Sequence, residues 1–302
     1  MLAKNLFVFM VFALSCFRLL RFVKAVVPQE EVDALQQIAT TMGSKYWKFN
    51  GTFCQIEMVG MTPEPPRNSE RSIGCDCNNT VCHVVRIVLK SCSLPCILPP
   101  QLVKLPYLRE IDFAYNYLNG TIPLEWASMQ LTSISILANR VSGEIPKELG
   151  NITSLTYLSL EANQFSGVVP PELGNLTNLQ TLMLSSNNLT GNLPMTFSML
   201  GSLTDFRIND NNFRGTIPDF IQNWKQLTRL EMHASGLEGP IPPNISLLSN
   251  LLQLRISDID GPNQDFPMLT NMSGLVRLVL RNCKIFGEIP SYIWTMKNLE
   301  ML

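Results

Sequence analysis

Histidine is nearly absent from this chain: His83 and His233 are the two it has, far apart and without companions at metal-ligand spacing. His83 does follow Cys75, Cys77 and Cys82, a set whose chemistry suits zinc, but in an exported chain those cysteines read as disulfide partners and no metal site is expected. Excess charge is missing too. Lys and Arg number 23 against 24 Asp and Glu, a net charge of −1 with no block of one sign, which removes any reason to invoke nucleic acid. There is no Walker loop, no Gly-x-Ser-x-Gly elbow, no His-Glu-x-x-His and no kinase signature, so nothing points to catalysis or a cofactor. Long apolar runs are limited to Leu6–Phe17, which is too short to span a bilayer as a helix.

That run has the form of a secretory signal. Lys4 precedes it, and Val23 and Ala25 supply small residues at the −3 and −1 positions of a cleavage after Ala25. Residues 1–25 are therefore the expected signal peptide. Arg18, Arg21 and Lys24 make its tail unusually basic, which leaves an uncleaved anchor as the alternative. Export agrees with eight Asn-x-Ser/Thr sequons, at Asn50, Asn78, Asn119, Asn151, Asn175, Asn188, Asn244 and Asn271. The expected location is the secretory pathway and the cell exterior.

What the chain has in abundance is periodicity. Prolines recur at Pro99, Pro123, Pro146, Pro170, Pro194, Pro218, Pro242, Pro267 and Pro290, at intervals of 23, 24 or 25 residues. Before each lies a leucine-rich phrase, well copied by Leu155-Thr-Tyr-Leu-Ser-Leu-Glu-Ala-Asn163-Gln-Phe-Ser-Gly167-Val-Val-Pro170. A fixed period of this length predicts a solenoid over residues 84–302, about nine units with the last cut short, each burying its apolar face against its neighbours. Such a shape offers a surface rather than a catalytic pocket.

Residues 26–83 lack the repeat and read as the cap that covers the first unit. Pro28 and the acids after it open an amphipathic helix to about Met42, with Val32, Leu35, Ile38 and Ala39 at helical spacing. Trp47 and Phe49 are expected in its core, and Asn50 to Gly74 reads as loop. Cys54, Cys75, Cys77 and Cys82 fall in the cap. Four cysteines allow three pairings and the sequence does not choose among them; Cys54–Cys75 with Cys77–Cys82 is the arrangement we favour.

Within a unit, L-x-L alternates with the period of a half-buried strand. The Asn column, Asn116, Asn139, Asn163, Asn187 and Asn211, is suited to a ladder of buried amides. The step L-x-G-x-I-P after it resembles the plant-specific class of leucine-rich repeat. With the signal and the cysteine-bearing cap, the chain resembles the extracellular part of a plant leucine-rich-repeat receptor-like serine/threonine kinase. Phe206–Phe213, Leu254–Asp258 and Leu278–Ile285 are similar to the subgroup in which a malectin-like domain follows the repeats. The resemblance implies a right-handed solenoid with a concave parallel sheet and a second, shorter strand beside it.

Some positions depart from the pattern. Ser235, Ile259 and Cys283 stand where the ladder calls for Asn; Ser and Cys can still take part, Ile cannot. Gly261-Pro262-Asn263 is out of step and predicts a local bend or bulged loop. Cys92 and Cys96 replace the Asn and Gly of the first unit and pair, stay free or mark a degenerating copy. Cys283 is expected as a buried thiol.

The unburied strand positions would face the hollow of the arc. They gather Asp205, Arg207, Arg229, Glu231, His233, Arg255, Arg277 and Arg281 on its later half, with Asp210 and Asp258 interleaved. Two readings stand: a platform that binds a peptide or acidic glycan through arginine clamps, or solvated cross-strand pairs that neutralise one another. Tyr115 and Tyr157 are milder contact candidates. The chain stops inside a tenth unit at Leu302 without a closing cap, so a fragment or truncated product is expected. The expected role is recognition of an extracellular peptide, glycan or co-receptor ectodomain at the cell surface. A stand-alone secreted protein (wall-enzyme inhibitor or decoy) and a non-functional copy are the alternatives.

Overall fold

The computed structural model describes residues 25–44, 47–52, 54–58 and 69–302. All but the last residue of the expected signal lie outside them. A helix, α1 (Gln29–Thr41), opens the cap. Glu30 and Glu31 sit in its first turn, where the exposed N–H groups favour negative charge, and Ala34, Leu35, Ile38 and Ala39 are buried beneath it.

Residues 50–74, expected as loop, hold strand at both ends; residues 59–68, with all of that segment's prolines, lie outside the described residues. Strands β1 (Trp47–Asn50) and β2 (Gln55–Met58) form an antiparallel pair. Trp47 and Phe49 alternate inward and are buried. Further along, β3 (Glu70–Cys77) runs antiparallel to β4 (Cys82–Lys90). Here pairing with β4 overrides weak local propensity. The cap thereby contributes an edge strand to the main sheet.

From β4 onward that sheet is parallel, continuing through β5 (Glu110–Asp112), β6 (Ser133–Ser135), β8 (Tyr157–Ser159), β10 (Thr181–Met183), β12 (Asp205–Arg207), β14 (Arg229–Glu231), β15 (Gln253–Ser257) and β16 (Arg277–Arg281), ten strands with β3. A second, four-stranded parallel sheet lies beside it: β7 (Ser142–Gly143), β9 (Gln164–Val168), β11 (Asn188–Gly191) and β13 (Asn212–Phe213). After every proline step but Pro267 comes a single 3-10 turn, such as Pro171–Asn175. The leucines between these layers form one continuous core from the cap to Ile293. Two tryptophans extend it. Trp126 and Trp224 are fully buried, each indole N–H donating to a carbonyl of the preceding unit, Pro99 O at 3.0 Å and Phe197 O at 2.9 Å.

The asparagine ladder is built as its spacing implies. Asn163 Nδ2 donates to the carbonyls of Ile136 at 2.9 Å, Leu160 at 3.2 Å and Glu161 at 3.1 Å, while its Oδ1 accepts from Val141 N–H at 3.1 Å. Where the pattern lapses, Cys283 Sγ lies 3.3 Å from the carbonyls of Ile256 and Arg281. Ser235 Oγ accepts from Leu237 N–H at 3.3 Å, and Ile259 contributes only apolar burial. In the stretched unit Gln264 bridges the gap: its Oε1 accepts from Ile241 N–H and its Nε2 donates to Cys283 O.

The residue before each ladder position is left-handed, from Tyr115 and Ala138 through Asp210, Ala234 and Asp258 to Asn282. Non-glycine residues adopt this conformation rarely; here the ladder bonds around it hold the turn. Gly191, at φ +74°, shows the steric reason for glycine in the next turn, since a Cβ there would meet Val168 Cγ1 at 2.7 Å.

Candidate functional site

Register fixes the concave face. Arg86, Glu110, Ser133, Tyr157, Thr181, Asp205, Arg229, Gln253 and Arg277 stand side by side in one column. Val88, Asp112, Ser135, Ser159, Met183, Arg207, Glu231, Arg255 and Val279 form the next. The third includes Glu161, Ser185, Asn209, His233, Ser257 and Arg281, stitched where Ser185 Oγ accepts from Asn209 N–H and Asn209 Oδ1 from His233 N–H. Asp210 and Asp258 do not belong to that column. They occupy the left-handed corner one residue later, because the turn breaks the strand alternation on which their placement in the sequence rested.

Seven of the eight sequence-nominated residues lie on the main sheet, His233 falling in the turn two residues beyond β14, and most are already engaged with one another. Arg207 grips Asp205 through both Nε and Nη2, at 2.8 and 2.5 Å. Glu231 is the hub. Its side chain is 4% exposed; Oε1 accepts from Arg229 Nε at 2.9 Å and Nη2 at 2.7 Å and from Arg255 Nη1 at 3.4 Å, and Oε2 from Asn209 Nδ2 at 3.1 Å. Burial alone would push the Glu231 carboxyl up; the bonds from Arg229 and Asn209 outweigh it and hold it below the usual range. His233 Nε2 lies 3.6 Å from Asp210 Oδ2, and Arg281 Nη2 donates to Asp258 Oδ2 at 2.9 Å. Arg277 is exposed and has no side-chain partner among the described residues. The arginine-clamp reading thus narrows: Arg207, Arg229, Arg255 and Arg281 serve internal pairs, and Arg277 is left to meet solvent.

A hollow of about 170 Å³ lies at the other end, lined by Arg86, Glu110, Asp112, Ser133, Ser135 and Tyr157. Arg86 pairs there with Glu110 at 3.2 Å. Tyr157 is half-buried with its hydroxyl 3.5 Å from Met183 Sδ, whereas Tyr115 stands exposed, 5.8 Å from Lys90 Nζ. The eight nominated residues leave out Glu161, an unburied strand position like them, and Asn209 and the hollow. Counting third-column residues by register instead of by alternation finds Asn209 in place of Asp210.

The sequon asparagines Asn78, Asn119, Asn151, Asn175, Asn188, Asn244 and Asn271 are exposed, and Asn50 is half-buried with its amide on Glu57 Oε1. None of the eight is on the ten-stranded sheet. Disulfides join Cys54 to Cys75 and Cys77 to Cys82, which takes away the thiolates that zinc beside His83 would need. Cys92, Cys96 and Cys283 are free; burial pushes the Cys283 thiol up to about 11. Among the described residues no helix is long and apolar enough to cross a membrane.

Family models described as "Leucine-rich repeat region" and "Leucine Rich Repeat" match residues 139–268 and 274–296. A probable LRR receptor-like serine/threonine-protein kinase of Arabidopsis thaliana, RFK1, is 60% identical over 118 residues, 38% of this chain. The match spans 12% of that relative's length. Among solved structures, a TDR receptor is similar with a TM-score of 0.65 at 28% identity, over 68% of this chain and 36% of that one. The leucine-rich-repeat ectodomain of the Arabidopsis receptor kinase HAESA, in complex with an extended IDA peptide hormone ligand, is similar with a TM-score of 0.60 at 26% identity, over 76% and 47%. The chain carries leucine-rich repeats over the matched residues, on a solenoid similar to those of the TDR receptor and the HAESA ectodomain.

Proposed function

We propose that this chain is the extracellular recognition region of a plant receptor-like kinase and that its concave sheet takes an extended peptide ligand. The observation that carries the reading is the braced polar floor of that sheet. Asp205–Arg207 and Arg229–Glu231–Arg255 are locked in fixed geometry, and Arg277 stands free beside them. Side chains fixed before a ligand arrives lose little entropy when it does. The peptide complex of HAESA supports the choice of ligand class. Signalling and kinase activity belong to the parent protein; this chain supplies recognition. Attached sugars on the sequons would leave the sheet clear for a peptide, glycan or co-receptor ectodomain.

The test is a binding screen of the secreted chain with synthetic extended peptides, followed by hydrogen exchange on any binder. Protection is expected on β12, β14, β15 and β16. Arg277→Ala is expected to weaken a carboxylate-bearing peptide about tenfold, as for loss of a charge-assisted bond, at unchanged melting temperature. Protection confined to the 3-10 turns would overturn the reading. Sequencing the transcript beyond Leu302 tests the parent: a spanning helix followed by kinase-coding sequence is expected.

A further inference from the structure

Of the eight sequons, Asn119 alone has an aromatic residue two positions earlier, in Tyr117-Leu-Asn119-Gly-Thr121. The others carry Lys, Asp, Leu, Ser or Pro there, and the leucines, Leu149, Leu173 and Leu269, are buried. Asn50 follows an aromatic directly, but that ring, Phe49, is buried.

The segment around Asn119 is extended and held from both sides. The N–H groups of Tyr117 and Asn119 donate to the carbonyls of Leu94 and Cys96 at 2.9 and 2.8 Å, and those of Arg140 and Ser142 donate to the carbonyls of Leu118 and Gly120 at 2.8 and 2.7 Å. Leu118 is buried, whereas Tyr117, Asn119 and Thr121 are exposed. Tyr117 and Asn119 therefore project on the same side, about 7 Å apart along the chain. An asparagine side chain and one pyranose ring span that spacing.

The surroundings suit a sugar. Tyr117 is 49% exposed, and the Arg140 guanidinium lies over its ring at 4.8 Å from the centroid, which holds the ring in place. Ile97, bridged to Asn119 across the strands, is 45% exposed. Asn119 Nδ2 donates to Pro95 O at 2.9 Å. An amide nitrogen has two hydrogens, so this bond orients the side chain and leaves the second hydrogen replaceable. Gly120 adds no side chain to crowd a substituent there. A pyranose presents a row of C–H bonds that suits the electron-rich face of an aromatic ring, and its apolar side would cover Tyr117 and Ile97 where no protein group does.

We propose that Asn119 carries an N-linked glycan whose first N-acetylglucosamine packs on Tyr117, with Ile97 and Thr121 at its edge, as an added layer of the first repeat. In forming it, Nδ2 bonds to the anomeric carbon of an oligosaccharide donated from a lipid pyrophosphate. The C–O bond to the pyrophosphate breaks, its electron pair leaves with the pyrophosphate, and Nδ2 gives up a proton to a base. The packing requires export of the chain and is independent of the reading of the concave sheet as a binding face.

The experiment uses the full chain, secreted by a eukaryotic host with high-mannose sugars and trimmed by an endoglycosidase to one N-acetylglucosamine at each occupied site. Glycopeptide mass spectrometry is expected to find Asn119 occupied. In NMR spectra the sugar on Asn119, assigned by Asn119→Gln, should show Overhauser contacts to the Tyr117 ring and proton shifts upfield of those on Asn151 and Asn175. Tyr117→Phe should keep the upfield shifts and Tyr117→Leu should abolish them. Backbone amides of Tyr117, Arg140 and Ser142 should exchange about fivefold more slowly in the glycosylated chain than in Asn119→Gln. An unoccupied Asn119 overturns the site. Sugar protons that match those on Asn151 and Asn175, or upfield shifts that survive Tyr117→Leu, overturn the packing. Equal exchange with and without the sugar overturns its role as a structural layer. The Overhauser contacts are read in the parent chain, so the packing is decided even where a Tyr117 variant fails to fold.

Discussion

His83 Nδ1 lies 2.6 Å from Glu31 Oε1, and Glu31 Oε2 accepts from Val84 N–H at 2.8 Å. One buried carboxylate from α1 thus fastens the cap to the first strand of the solenoid, while Tyr107 stacks on the other side of His83 at a centroid distance of 3.9 Å.

Replacing Glu31 with Ala leaves a buried backbone N–H and an imidazole without their acceptor. The expected loss is about 1–3 kcal/mol, read as a lower urea midpoint. Glu31→Gln keeps one acceptor oxygen and should lose less.

The ladder should be more sensitive. Asn163→Ala strands the carbonyls of Ile136, Leu160 and Glu161 and the N–H of Val141. Water reaches part of this turn, so the expected cost is about 2–4 kcal/mol. Because each unit leans on its neighbours, hydrogen exchange should rise in β6 and β10 as well as β8.

Loop length separates the two disulfides. Cys54 and Cys75 are 21 residues apart, Cys77 and Cys82 are 5 apart. Changing both members to Ser should cost about 3 kcal/mol for the first pair and about 2 kcal/mol for the second. Thermal melts of the two double variants check the order.

Asp258 sets an acid-side prediction. Hydrogen bonds from Arg281, Ser257 and Asn282 lower its pKa from 3.8 to about 2. A carboxyl lowered in the folded state contributes stability that is present above the unfolded pKa and lost as pH falls through the folded one. Arg281→Ala should move the Asp258 titration back toward 3.8, observed by carboxyl carbon NMR, and flatten the stability change between about pH 4 and pH 2.

The sequence by itself determined the solenoid. A leucine every two or three residues and a proline every unit leave no other way to bury the apolar face, and the buried Asn column has no other use for its amide than the turn carbonyls. It also put the nominated strand residues on one face of the sheet, because strand alternation assigns sides locally. Only the tertiary structure decided what that face offers. The pairing of Arg255 on Glu231 depends on side chains brought together across strands 24 residues apart. The cap strands were hidden for a related reason: β3 has little propensity of its own, and it is the hydrogen-bonding edge of β4, joined to it by the Cys77–Cys82 disulfide, that makes it a strand.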